Sequence, residues 1–511
     1  MSAWSEGYAA GIDYTLGYYS ELNPLRIQFA FAYNGLAFPE IGTACELGFG
    51  QGVSVNLHAA AGVTKWWGTD FNPAHASFAQ EMGKASGNDV QLYDEAFADF
   101  AQREDLPDFD YICLHGIFSW ISAENRQVIV DFVRRKLKVG GVLYISYNTM
   151  PGWARVAPMR ELMSLHAKVQ GSSGEGILSR VDNALAFTER LLQVDPKYSA
   201  AVPYVSSWLE GTKQKSRQYL AHEYFGDYWE PMYFSDMAQW LESAKLQFAC
   251  SVDFVNFVPH VNFTPEQINL LDEIRDPVLA QTVRDFICNQ AFRRDYWVKG
   301  ARHLSAFDRL NILRQQRVLL TVSREEARTS FVGALGESSL MDEVAQPLLD
   351  ELAGYRIKSL AELEQTLAST GLTFEQIAQA VVLLQSTGQV ALVQNPAAIV
   401  SCKKQTDQFN TYVQRMARGG DELNFLASPV IGGAYAIGRI EQLFLLARAE
   451  GCSEPKEWAQ HVWQILQQQG QMLIKDGKPL ESAEDNLAEL LNQATEFVQK
   501  RMPLVQVLQL V

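Results

Sequence analysis

From residue 43 onward the chain alternates short apolar runs with longer amphipathic stretches. Thr43 to Glu46, Trp66 to Asp70, Val90 to Tyr93, Phe109 to Leu114 and Val142 to Tyr147 are the apolar runs, each four to six residues long. Between them, Val53 to Ala60, the stretch opened by Asn72-Pro73, and Glu124 to Leu137 repeat apolar residues at helical spacing. Gly140-Gly141 supplies a stop after the last of these. Strand, helix, strand in regular succession predicts a parallel sheet with crossover helices. Every run ends in something polar: Glu46, Asp70, Asp94-Glu95, His115-Gly116 and Asn148. Ligands of open parallel sheets bind beyond these carboxyl ends, so the run ends are the candidate site. Ahead of the sheet lies an aromatic-rich segment with Tyr14, Tyr18, Tyr19, Phe29, Phe31 and Tyr33. Its later aromatics read as the core face of a helix, whereas Tyr14 precedes the helix and is a candidate cover for a ligand.

Beyond residue 150 the pattern changes. Pro151-Gly152-Trp153 breaks the alternation, and helical stretches follow, with a flexible insert at Gly171-Ser172-Ser173-Gly174. Tyr219 to Phe225 runs into Trp229 to Phe234, after which Ser235 reads as the cap of a helix over 236–243. Asp276-Pro277 opens a helix expected to reach Phe292-Arg293-Arg294-Asp295. Residues 340–395 carry three short helices and a strand, with capping boxes at Ser359/Glu362 and Thr373/Gln376, a winged-helix-like order. The third helix, Phe374 to Gln385, holds no Lys or Arg. The remainder is mostly helix, with a glycine-spaced apolar run at 426–448, a turn at Lys475 to Lys478 and a capped helix from Ser482. We divide the chain into a sheet domain (1–160), a helical connector (161–215), a third segment (216–320), the winged-helix-like unit (321–400) and a C-terminal helical domain (401–511). A chain lacking 216–511 is expected to keep its ligand binding.

The whole chain, 511 residues, is long enough for three or four domains at roughly 100–200 residues each. Its net charge of −16 disfavours nucleic acid and anionic membrane surfaces as partners and suits a basic target. Six cysteines are scattered without a C-x-x-C pair, which predicts reduced thiols, a cytoplasmic location and no metal site. No run of eighteen apolar residues and no basic-then-apolar leader is present, so neither a membrane span nor a secretory signal is expected.

Candidate chemistry concentrates at the first strand end. Glu46-Leu47-Gly48-Phe49-Gly50-Gln51-Gly52 places three alternating glycines before a helix. Such a turn brings backbone close to a ligand, and the helix aims free N–H groups at it. Glu46 suits a ligand carrying an ammonium group better than a pyrophosphate. The pattern resembles motif I of class I S-adenosylmethionine (SAM) methyltransferases, which implies a Rossmann-like sheet. The resemblance assigns Glu46, Gly48, Phe49, Gly50, Gln51 and Gly52 to the cofactor, Asp70 with Phe71 to the ribose, Asp94, Ala96 and Phe97 to the adenine, and His115 to the neighbourhood of the methyl.

Three further stretches carry a closer resemblance: His115 to Trp120, Ser146 to Trp153, and Tyr219 to Tyr224 with Trp229 to Phe234. They are similar to the bacterial methyltransferases with a regulatory domain, among which the rickettsial-type protein-lysine methyltransferases are best known. That resemblance implies a homodimer acting on a protein lysine. In-line transfer from a sulfonium relies on alignment, and a lysine must first lose its proton, which burial favours. Tyr14, Tyr147 and Trp153 are candidates for an aromatic acceptor channel, Asn148 for orienting the amine, and His115 for a base if the acceptor is oxygen. Residues 216–300 are expected to pack near the sheet's mouth and restrict access to the acceptor. Small-molecule N- or O-methylation, or a SAM-binding regulator, are the alternatives.

Overall fold

The computed structural model describes residues 16–171 and 176–511. Seven strands form one sheet: β1 (Thr43–Leu47), β2 (Lys65–Thr69), β3 (Gln91–Tyr93), β4 (Phe109–Leu114), β5 (Leu137–Asn148), β6 (Leu246–Ser251) and β7 (Phe292–Lys299), in the order 3-2-1-4-5-7-6. The first five are parallel, and the order reverses between β1 and β4, which opens the binding crevice at their carboxyl ends. Helices cover both faces, so β1 and β4 are apolar almost throughout rather than alternating.

The helix expected from 53 runs Val53–Ala61 and has every residue buried. One side faces the sheet. The other is covered by the long helix Pro396–Met416 and by the hairpin Phe425–Ser428/Gly433–Ala436. Gln394 Nε2 donates to the Ala61 carbonyl at 2.7 Å, fixing the far end of the glycine-turn helix. The C-terminal third of the chain thus buttresses the element beside the crevice. The N-terminal helix is Pro24–Tyr33, with Phe29 and Phe31 fully buried as expected of core aromatics.

Several element bounds differ from the sequence reading. The helix opened by Pro277 stops at Cys288, because Asn289 takes a left-handed φ of 48° and closes it. Phe292 to Asp295 instead begin β7, which pairs antiparallel with β5 over seven residues, from Val142↔Val298 to Asn148↔Phe292. Its Arg293 and Asp295 hid a central strand behind two charges. They neutralise each other at 2.7 Å, and Asp285 meets Arg293 at 2.6 Å. β6, unanticipated, completes the sheet. β5 itself starts at Leu137, five residues early, held by a Phe109↔Leu137 bridge across a bulge. Ser235 is not a cap: the helix is Phe234–Glu242, and Asp236 accepts from the Tyr233 N–H at 3.0 Å.

In the winged-helix-like region, the helices Asp342–Leu352, Leu360–Thr366 and Phe374–Ser386 form with both capping boxes in place. The third strand of its sheet comes from upstream of the helices. β8 (Arg317–Leu320) lies between β11 (Lys358–Ser359) and β12 (Val390–Val393), after a hairpin of β9 (Ser330–Gly333) and β10 (Gly336–Ser339). The capped helix from Ser482 forms as Ala483–Glu496.

Candidate active site

At the carboxyl end of β1 the chain turns through Gly48, Gly50 and Gly52, all with φ between 58° and 73°. A side chain at Gly48 would also collide, its Cβ meeting Ile117 Cδ1 at 2.5 Å. The turn is held from β2. The N–H of Gly48 donates to the Thr69 carbonyl at 2.8 Å and that of Gly50 to Asp70 Oδ2 at 2.9 Å. Asp70 Oδ1 accepts from the Asn72 N–H at 3.0 Å and stands 3.4 Å from His75 Nδ1. The aspartate therefore braces the glycine turn while its carboxylate still borders the cleft, where spare lone pairs can accept hydroxyls.

The cleft offers about 1380 Å³ of free space, open mouth included. It brings together Glu46, Gly48, Phe49, Gly50, Gln51, Gly52, Asp70, Phe71, Ala96, Phe97 and His115 from the sequence-chosen residues. Glu46 is 2% exposed, and its Oε2 has no hydrogen-bond partner among the described residues. Burial, and then the Asp70 charge, push its carboxyl up to about 8. A buried carboxylate oxygen left bare beside a glycine turn is what an ammonium-bearing ligand would satisfy.

His115 stacks on Tyr19, ring centroids 3.9 Å apart, and its Nδ1 is 2.7 Å from the Tyr144 hydroxyl. Burial pulls its pKa down to about 4 against the opposing pull of Glu21. The imidazole is neutral at ordinary pH and a weak base.

Four sequence-chosen residues do not line the cleft. Asp94 is exposed, and the neighbouring Glu95 lines the cleft instead, paired with Arg103 at 2.7 Å. Tyr147 is on the opposite sheet face from Tyr144: alternate residues of β5 point opposite ways, and its hydroxyl donates to Asp295 at 3.0 Å. Trp153 packs edge-on against Trp229 and Tyr224 between helices. Asn148 is buried behind the cleft wall. Tyr14 lies outside the described residues.

The cleft also holds residues the sequence did not single out for it. Tyr19 is carried in by the segment clamped to the glycine-turn helix: Ser54 Oγ accepts from the Tyr19 N–H at 2.8 Å and donates to the Gly17 carbonyl at 3.3 Å. His75 and Ile121 had no local signal, and Trp120 stood in a stretch noted for its resemblance rather than for this cleft. His222, Glu223 and Tyr228 reach the cleft from the segment after 216.

Comparison with known proteins agrees with this geometry. A methyltransferase domain model matches residues 44–141, and a predicted methyltransferase regulatory domain model matches 216–299. An uncharacterized protein of Synechocystis sp. is 38% identical over 507 residues, 98% of each chain. The chain belongs to the class I SAM-dependent methyltransferases that carry a regulatory domain. An uncharacterized protein of Rickettsia prowazekii is 26% identical over 282 residues, 54% of this chain and 49% of that one. PKMT2 from Rickettsia typhi, solved in complex with AdoHcy, shares the fold with a TM-score of 0.69 at 17% identity, covering 94% of this methyltransferase and 98% of PKMT2.

SAM is the cofactor of this methyltransferase, and when bound it supplies an electrophilic methyl on a sulfonium. The chain's own part is to bind and align. Glu46 would hold the ammonium, the N–H groups of the glycine turn and Asp70 the polar middle of the ligand, and Glu95 to Phe97 with Ile117 a flat base. Tyr19 and Trp120 add aromatic surface to the same wall.

Proposed function

We propose that this methyltransferase acts on lysine side chains of a protein. The carrying observation is the charge of the cleft. Glu46, Asp70, Glu95 and Glu223 line it, and among the described residues no Lys or Arg does. Acidic and aromatic side chains with no cation among them suit a cationic amine and not a phosphate. His115, neutral and weakly basic, offers little to an alcohol acceptor. The likeness to the rickettsial-type protein-lysine methyltransferases supports the same acceptor. A nucleic-acid reader fits poorly, because the helix Phe374–Ser386 is buried over most of its length and has no cation. Among the described residues no helix is long and apolar enough to cross a membrane.

We read the protein as a cytoplasmic homodimer. Its cysteines are free thiols, and Leu279 and Phe286 expose apolar surface two turns apart on one helix. Host-lysate proteins incubated with the enzyme and methyl-labelled SAM, then analysed by mass spectrometry, should carry label on lysine. Label confined to small molecules, or to other side chains, would refute the reading.

A further inference from the structure

The helix Arg217–Tyr224 of the regulatory segment buries Leu220, Ala221 and Tyr224 against the helices Ala157–Val169 and Ile177–Gln193. Glu223 flanks that apolar face and borders the cofactor cleft. Buried polar groups surround it. Asn148, at the end of β5 and 2% exposed, lies beside the Glu223 carboxylate and favours its charged form. Arg160, 3% exposed, sits 4.6 Å above the Trp229 ring and acts on Glu223 as a nearby positive charge. Of the four carboxylates on the cleft wall, Glu46 and Asp70 stand at the glycine turn and Glu95 is paired with Arg103, which leaves Glu223 uncommitted.

We propose that Glu223 receives the acceptor: its carboxylate binds the lysine ε-ammonium and takes a proton from it. This rests on the lysine reading above. The proton passes from the ammonium nitrogen to a Glu223 carboxylate oxygen. The freed lone pair forms the N–CH₃ bond as the S–CH₃ bond of the methyl donor breaks, its electron pair staying on sulfur. Glu223 then returns its proton to water, and the product leaves as the methylated ammonium.

The surroundings tune the group for this work. Burial pushes its carboxyl up to about 7, opposed by Lys215 before the helix, Arg160 from the helix Ala157–Val169, and Asn148 from β5. At neutral pH the carboxyl is therefore close to evenly poised between its two forms. Free lysine titrates near ~10.4, and loss of water on entering an aromatic cleft narrows the gap. The other cleft groups serve less well. His115 is too weak a base, and Glu46 stands at the glycine turn.

Glu223→Gln keeps the shape and removes the charge. With the lysine-bearing lysate proteins as substrate, its turnover number should fall by about 10²–10⁴-fold while SAM affinity holds. Glu223→Asp should restore part of the loss. Wild-type turnover should rise with pH through about 7, and Glu223→Gln should lose that limb. A readout independent of turnover is infrared difference spectroscopy between about pH 6 and pH 8. Wild type should show a carboxyl band titrating near 7 that Glu223→Gln lacks. A Glu223→Gln enzyme that labels lysine at the wild-type rate with an unchanged pH profile overturns the proposal and leaves the lysine reading intact. A wild-type enzyme that labels no lysine overturns the lysine reading, and the proposal with it.

Discussion

With the cofactor's ammonium placed on Glu46, binding becomes a proton-linked event, and the size of the linkage follows from the structure. Its carboxyl is pushed up to about 8 in the free chain, first by burial and then by Asp70. The bound ammonium favours the carboxylate, so binding below that pKa expels a proton. At pH 7, about 90% of Glu46 and a similar share of the ligand's α-amino group, with its pKa near ~7.8, are protonated. The bound pair keeps one proton, so about 0.8 proton leaves on binding. SAM affinity should accordingly rise about eightfold from pH 6 to 7, or ~1.2 kcal/mol, then flatten near 8 and fall again as the ligand amine deprotonates. Calorimetry in buffers of different ionisation enthalpy reads both quantities. Glu46→Gln should release almost no proton and lose the acid limb. The free protein should show the opposite trend. Between about 4.5 and 8 the native state holds a proton that the unfolded chain has lost, so this group makes stability fall as pH rises, and SAM reverses the loss. Affinity flat from pH 6 to 8 in wild type, or an acid limb surviving in Glu46→Gln, would refute the assignment of Glu46 to the ammonium.

Asp70→Ala removes the acceptor of the Gly50 and Asn72 N–H groups together with the candidate ribose contact. SAM affinity should drop by about 1.5–3 kcal/mol, roughly 10–150-fold, and unchanged calorimetric affinity in a folded variant would count against the ribose role. Arg293→Met strands Asp285 and Asp295, both 1% exposed, without their cation. Chemical denaturation should show a loss of about 3–5 kcal/mol, and a change within about 1 kcal/mol would mean that the buried pair is bypassed.

What the sequence made legible was local. The glycine turn, Asp70 and Phe97 sit within a few residues of a strand end, and an apolar run followed by a polar residue is visible without knowing the fold. Tyr147 failed for a definite reason. Choosing it with Asn148 and Trp153 ignored the strand's alternation, which sends Tyr147 to the face away from Tyr144 and His115. β7 was missed because Arg293 and Asp295 read as exposed, and only their pairing across the fold makes them core. Glu223 stood in a noticed stretch, yet its proximity to Asn148, 75 positions earlier in the chain, is tertiary information.

The same tertiary fact bears on whether the first 215 residues can bind the cofactor alone. The sequence suggests that they can, since every motif lies inside them. The sheet argues otherwise. β5 is not an edge: β7 pairs with it along seven residues, and Tyr296 and Trp297 of β7 are buried in the cores on opposite faces. Removing 216–511 would bare a long, apolar β5 edge, the kind that pairs with other chains. It would also uncover the glycine-turn helix Val53–Ala61, whose outer face is packed by the C-terminal third. Truncation at residue 215 should therefore give aggregated protein with no measurable SAM affinity, whereas a single substitution at the regulatory helix should leave SAM binding intact. A soluble, monomeric truncation that binds SAM within about threefold of the full chain, ~0.7 kcal/mol, would show β7 to be an attachment rather than a structural strand. If the truncation fails as expected, β6 and β7 of the regulatory segment are structural strands of the sheet, and they set where β5 ends beside Glu223.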